Sequence, residues 1–270
     1  VLLWSIRIYR VSRRIYVVKG DAMRLLDLFC GAGLAADGYH AAGFDEIVGV
    51  DINPQPSYPY GFIQGDALDV LRTWDLTQFD AIHASPPCQA HTRAGHLRKA
   101  QGGESKYADL LTPTLALLAD VTIPWVVENV PGAPGMDGAV VECGSAYGLQ
   151  VQRHRLFLSN MPLVGSGCNH KTFPADPITG KPRPWGVFHV PGDNIPKGGR
   201  TCRDAAHARE CMGVDSDLSW QELKEGFPPA YSRHVGKQLL HAIERARLAR
   251  YDRFAVDMAR LGVDLYGEGA

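Results

Sequence analysis

Cys88 stands directly after Pro86 and Pro87 and before Gln89, in a polar turn that closes a short apolar run. A lone cysteine is most often a small buried hydrophobe. A thiol in a polar turn stiffened by two prolines is instead held at a fixed angle, where its thiolate can serve as a nucleophile. Glu128 and Asn129 end a second apolar run and bring a carboxylate. A third group is Phe29-Cys30-Gly31-Ala32-Gly33, a glycine turn whose backbone N–H groups can approach a cofactor closely. Asp51 lies 20 positions beyond Gly31, a spacing suited to a carboxylate that binds a ribose hydroxyl. Alone, Gly31-x-Gly33 marks a turn that many folds contain with or without a ligand.

The elements that must position these groups alternate between strand-like and helix-like runs, which predicts an α/β fold with a mainly parallel sheet. Strands are expected over residues 24–29, 47–50, 62–63, 79–84, 125–127 and 154–159. Helices are expected from Gly33 to Ala42 and over 67–74, 108–119, 203–212 and 235–261. In a doubly wound sheet, ligands bind beyond the carboxyl ends of the strands at the point where strand order reverses. If the first, fourth and fifth strands are neighbours, Cys88 and Glu128 sit beside the glycine loop. Residues 91–105 lack periodicity and read as a loop. From Pro162 to Thr201 the chain turns rich in Pro, Gly and Lys, an irregular insertion rather than a second core.

The expected organisation is a basic arm over residues 1–22, a cofactor-binding core over 23–161, the small insertion over 162–201, and a helical part completing the core over 202–270. The arm looks foreign to the rest, either disordered or lying ahead of a true start at Met23. No run approaches the roughly 18 apolar residues of a membrane span. The net charge of −1 gives no overall footprint for nucleic acid, so any such contact rests on local basic patches. Six scattered cysteines without a CxxC pair read as free thiols rather than a disulfide framework.

The motifs resemble, in order, those of the cytosine-5 DNA methyltransferase family. The segments are Asp27-Leu28-Phe29-Cys30-Gly31-Ala32-Gly33, Pro86-Pro87-Cys88-Gln89, Glu128-Asn129-Val130 and Arg153-His154-Arg155. Pro228-Pro229-Ala230-Tyr231 with Val235-Gly236-Lys237-Gln238 is similar to the closing motif of compact, phage-type members, so the likeness runs from Leu25 to about Ile243. It implies a Rossmann-like methyltransferase fold with a small target-recognition insertion, S-adenosylmethionine as cofactor and DNA as partner. Asp27, Phe29, Gly31 and Gly33 would line the cofactor loop, Asp51 would bind the ribose and Asp66 the adenine amino group, with Ile52 and Pro86 completing the cofactor contacts. Cys88 would be the nucleophile, Glu128 would hold cytosine at N3, and Arg153 and Arg155 would position the base and the nucleophile loop.

Such chemistry needs these residue types. Carbon 5 of cytosine is a poor nucleophile until a thiolate adds at carbon 6 and creates an enamine. A nearby cation such as Arg155 favours the thiolate, and a donor or general acid at N3 draws charge from the ring. The base must leave the duplex stack to be reached. Some positions depart from the family pattern: Val151 stands where glutamine is common, Ala90-His91-Thr92 replaces an aromatic-Ser pair, and Ser232-Arg233-His234 stands near the usual Gly-Asn-Ser run.

Within 162–201, Lys171, Lys181, Arg183, Lys197 and Arg200 interleave with Phe173, Trp185, Phe188 and His189. Lys171, Arg183, Trp185 and, beside the nucleophile, Gln89 are the expected DNA contacts, Arg183 as a base reader. Residues 238–260 read as an amphipathic helix with a basic solvated face. Cys168-Asn169-His170 with Cys202 or Cys211 is the nearest approach to a metal motif, but its spacing fits no standard pattern and no metal is expected. The family likeness further implies a monomer in the cytoplasm of a bacterium or phage-infected cell, with or without a cognate restriction endonuclease. Competing functions are RNA cytosine-5 methylation and a catalytically inactive DNA-binding homologue. A dehydrogenase explains Gly31, Gly33 and Asp51 but none of the later motifs.

Overall fold

The computed structural model describes residues 6–11, 14–19, 22–87, 108–168, 188–190 and 200–260. Its centre is a seven-stranded sheet in the order β5-β4-β3-β6-β7-β9-β8. Five strands run parallel: β3 (Arg24–Leu28), β4 (Glu46–Asp51), β5 (Gly61–Gln64), β6 (Ala81–Ala84) and β7 (Trp125–Asn129). β9 (Arg155–Ser159) enters antiparallel between β7 and β8 (Val140–Glu142). The first, fourth and fifth strands of the sequence reading are β3, β6 and β7, and they are indeed neighbours. The short β8 carried no signal in the sequence reading.

Strand alternation sends two sets of side chains to opposite faces. Leu26, Leu28, Ile82, Ala84 and Val127 pack with α2 (Ala67–Thr73) and α3 (Leu111–Leu118). Leu25, Ala81, Val126 and Phe157 pack with α1 (Leu34–Ala42) and the long α6 (Pro229–Arg260). The α1–α6 contact is close because two glycines oppose it. A Cβ on Gly38 would lie 2.0 Å from Ser232 Oγ, and one on Gly236 would lie 2.8 Å from the Tyr39 ring. The closing motif thus has a packing role that its resemblance alone did not imply. Helix α6 also begins earlier than the periodicity predicts, at a proline suited to a first helical turn.

Two further helices, α4 (Ala205–Met212) and α5 (Trp220–Glu225), cover a satellite cluster with Leu34, Val151 and Val190. Asp204 caps α4 through the His207 N–H, and Ser219 with Glu222 forms a capping box on α5. Where the sequence reading expects a foreign or disordered arm, Ile6–Val11 (β1) pairs antiparallel with Arg14–Lys19 (β2). The described parts of the insertion are tied down. Phe188, in β10 (Phe188–His189), exchanges backbone hydrogen bonds with Gln150 and Gln152, and β10 pairs with β11 (Arg200–Thr201). At its start, the Gln238 amide clasps both the N–H and the carbonyl of Val164. Among the described residues, no helix is long and apolar enough to cross a membrane.

Candidate active site

The carboxyl edge of the sheet gathers the predicted residues in two groups. The first surrounds the loop after β3. Phe29 is the only described non-glycine residue with positive φ, at 56°, and Gly31 and Gly33 follow at 49° and 92°. A bulky residue in this conformation is strained, so the turn is held by its surroundings. Cys30 donates its N–H to the Val50 carbonyl, and Gly31 donates to Asp51 Oδ2 at 3.2 Å while Asn53 donates to Oδ1 at 2.9 Å. The Asp51 carboxylate therefore stands at the mouth of the glycine loop. Beside it Ile52 is 62% exposed, an apolar surface left open at a strand end. Asp66 caps α2 through Leu68, one oxygen accepting at 2.7 Å.

Asp27 is placed deeper than the loop it was expected to line. It is fully buried, accepts the Tyr58 hydroxyl at 3.1 Å, and leaves Oδ1 without a hydrogen-bond partner. Tyr58 reaches it because Gly49 has no side chain; a Cβ there would strike the tyrosine ring. Burial pushes the Asp27 carboxyl up from 3.8 to about 7, against the Tyr58 hydrogen bond and with help from Asp51. Burial, with Asp27 and Asp51 nearby, also pushes the Cys30 thiol far up, which removes it as a nucleophile.

The second group lies across β6, β7 and β9. Glu128 is buried, and its Oε1 is 3.0 Å from Arg155 Nε. This contact depends on the antiparallel insertion of β9. The parallel strands end at this edge, whereas β9 begins there, so Arg155 at its first position meets Glu128 near the end of β7. Burial raises the Glu128 pKa, opposed by Arg155, Arg153 and a hydrogen bond from Ser85. Ser85 is in turn 2.7 Å from His83 Nε2, and His83 Nδ1 is 3.0 Å from the Tyr39 hydroxyl. Burial pushes His83 down to about 3, so the ring is neutral. One tautomer satisfies the series: Tyr39 donates to Nδ1, Nε2–H donates to Ser85, and Ser85 donates to Glu128.

The two predicted arginines divide. Arg153 is 2% exposed and donates to the carbonyls of Gly226 at 2.9 Å and Lys224 at 2.5 Å, closing the end of α5. Its own carbonyl accepts the Tyr231 hydroxyl. Arg155 makes an ion pair with Glu128. Asn129 supplies the link to the nucleophile turn, donating from Nδ2 to the Pro86 carbonyl at 3.0 Å. Cys88, Gln89, Lys171, Arg183 and Trp185 lie outside the described residues.

The sequence reading gave no role to His83, Ser85, Tyr39, Tyr58 or Asn129. A histidine inside the apolar run 79–84 was the available signal, since a buried polar ring demands partners. Nothing local indicated which partners those are.

The chain is similar to known proteins over part of its length. Residues 23–140 match the family described as C-5 cytosine-specific DNA methylase. The Type II methyltransferase M.FnuDI of Fusobacterium nucleatum is 31% identical over 117 residues, 41% of this chain and 33% of that protein. The Type II methyltransferase M1.HphI of Haemophilus parahaemolyticus is 26% identical over 144 residues, 48% of this chain and 37% of that protein. The matches thus span about a third of the length of these curated relatives. Among solved structures, the Dnmt2 methyltransferase of S. pombe superposes with a TM-score of 0.50 at 12% identity, covering 82% of this chain and 99% of that one. This supports a shared fold.

Proposed function

We propose that this chain, whose residues 23–140 match the C-5 cytosine-specific DNA methylase family, methylates carbon 5 of cytosine in DNA through a covalent adduct of Cys88. The observation that carries this reading is the buried Glu128, paired with Arg155 and hydrogen-bonded by Ser85, one strand from the turn that leads to Cys88. S-adenosylmethionine, the methyl donor of the family, supplies an electrophilic methyl group when bound. The residues present fit such a molecule. Gly31 opens onto space that no neighbour fills, Asp51 faces the loop mouth, Ile52 offers an apolar surface, and the buried Asp27 Oδ1 lacks a partner.

The Cys88 thiolate adds to carbon 6 of a cytosine extruded from its stack. Its electron pair forms the C6–S bond, and ring electrons shift so that carbon 5 becomes nucleophilic. Carbon 5 would take the methyl group, the bond from that methyl to the donor's sulfonium sulfur breaking to leave a neutral thioether. Loss of the carbon-5 proton to a base then returns electrons to the ring and expels the thiolate. Glu128 stabilises the intermediate by holding a proton at N3, a task that burial favours by raising its pKa. The polar series through Ser85 and His83 orients that carboxyl. Arg155 keeps it from turning into the core, and Asn129 fixes the proline turn before Cys88. Residues 162–201 are proposed to read the target, with Lys171, Arg183 and Trp185 as contacts.

The test is expression in a methylation-free bacterial host followed by bisulfite sequencing of its DNA. Sequence-specific 5-methylcytosine is expected from the wild type and none from Cys88→Ser. A 5-fluorocytosine duplex containing that site should trap the wild type covalently in the presence of S-adenosylmethionine. Methylation retained by Cys88→Ser refutes the adduct, and methylation found only in host RNA refutes the substrate.

A further inference from the structure

Two groups among the described residues bring two thiols and an imidazole together. In each of them, Cys143–His154–Cys168 and Cys202–His207–Cys211, the donor atoms lie within 4.8 Å of one another. The second group is explained by packing. Cys202 and Cys211 are buried among Met212, Val214 and Leu223, and their thiols share a hydrogen bond. The His207 Nδ1 accepts the Arg203 N–H, and its ring packs edge-on against Phe188.

The first group lacks such an explanation. Cys143 is buried just after β8, His154 precedes β9 between Arg153 and Arg155, and Cys168 is exposed where the described chain stops before residue 188. No apolar cluster includes them. The β8–β9 ladder, which ends with Glu142 opposite Arg155, brings Cys143 and His154 side by side, and Cys168 reaches them from a third segment. His154 Nε2 and Cys168 Sγ are 3.5 Å apart. With Zn–S near 2.3 Å and Zn–N near 2.05 Å, a tetrahedral site has an S···N edge of about 3.6 Å. Ser145 Oγ donates to Cys143 Sγ at 3.2 Å, the orientation a thiolate ligand requires of its neighbours. Two thiols and an imidazole are donors of the softness that selects zinc over magnesium or calcium.

We propose that Cys143, His154 and Cys168 are three ligands of a structural zinc ion, with the fourth position taken by a further donor or water. The ion would fasten Cys168, in the first part of the proposed target-reading segment 162–201, to the turn that presents Arg155 to Glu128. The sequence reading expected no metal because it paired Cys168 with His170 and the later cysteines. The fold sets it against upstream residues at the adjoining ends of β8 and β9.

The unaltered full chain, dialysed free of loose metal, should carry about one zinc by mass spectrometry of its elements. Replacement by cobalt should give thiolate charge-transfer absorption and the intense ligand-field bands of a tetrahedral site. Bound zinc should protect Cys168 from iodoacetamide, read by peptide mass spectrometry on the wild-type protein. Cys168→Ser should lose the zinc, while Cys211→Ser keeps it. Metal-free protein that takes up no cobalt, or equal alkylation of Cys168 with and without zinc, overturns the proposal. So does zinc content that survives Cys168→Ser, or that is lost in Cys211→Ser alone.

Discussion

The cofactor edge around β3 and β4 and the base edge across β6, β7 and β9 are built by different means. The first is made of backbone: three residues of positive φ within five positions, and N–H groups of Gly31 and Asn53 directed at one carboxylate. The second is made of side chains carried by three strands, with a buried ion pair and a polar series leading to Tyr39. The glycines permit that geometry locally, and hydrogen bonds from Cys30 and Gly31 to Val50 and Asp51 at the end of β4 hold it. The base edge exists only when β9 runs antiparallel beside β7. Its parts should therefore fail separately from those of the cofactor edge.

The largest effect is expected at Glu128. Replacing it with Gln removes the proton donor while keeping shape, and methyl transfer should fall by about 100- to 10,000-fold. S-adenosylmethionine binding, followed by calorimetry, should stay close to wild type. A matching loss of cofactor affinity would show the two edges to be one unit.

Asp27 comes next, and its effect is on stability. Its folded-state pKa of about 7 lies above its ordinary 3.8, so the folded protein holds this proton more tightly than the unfolded chain. The stabilisation is complete below about pH 4 and is lost as pH rises through about 7. Asp27→Asn, which mimics the protonated form, should remove a few kcal/mol of that decline between these pH values. Urea unfolding across the range measures it. An unchanged slope would mean that Asp27 is ionised in the folded protein.

Asp51→Ala sharpens the comparison from the other side. Loss of a charged hydrogen-bond acceptor should weaken S-adenosylmethionine binding by about 10- to 100-fold. The rate at saturating cofactor should change little, opposite to the pattern for Glu128→Gln. A fallen saturated rate with intact binding would place Asp51 in the base-handling group.

The sequence determined the parallel α/β class, the strands that lead into the glycine loop and Glu128, and Asp51 at the mouth of that loop. These follow from periodicity and from residues with unusual backbone preferences, Gly31 by its freedom to take positive φ and the prolines before Cys88 by their fixed φ. Tertiary structure decided what Glu128, Arg153 and Arg155 touch. Two arginines spaced two apart look alike in sequence, yet one closes α5 on carbonyl groups and the other meets Glu128. The difference arises from the direction of β9 and the position of α5, both set by long-range packing. Asp27, expected to line the cofactor loop, is buried beneath it, where Gly49 admits Tyr58 from the connection between β4 and β5. His83 gained its partners, and Cys143, His154 and Cys168 came together, for the same reason. Side-chain contacts between distant segments depend on strand order and direction, and no local pattern of residues encodes either one.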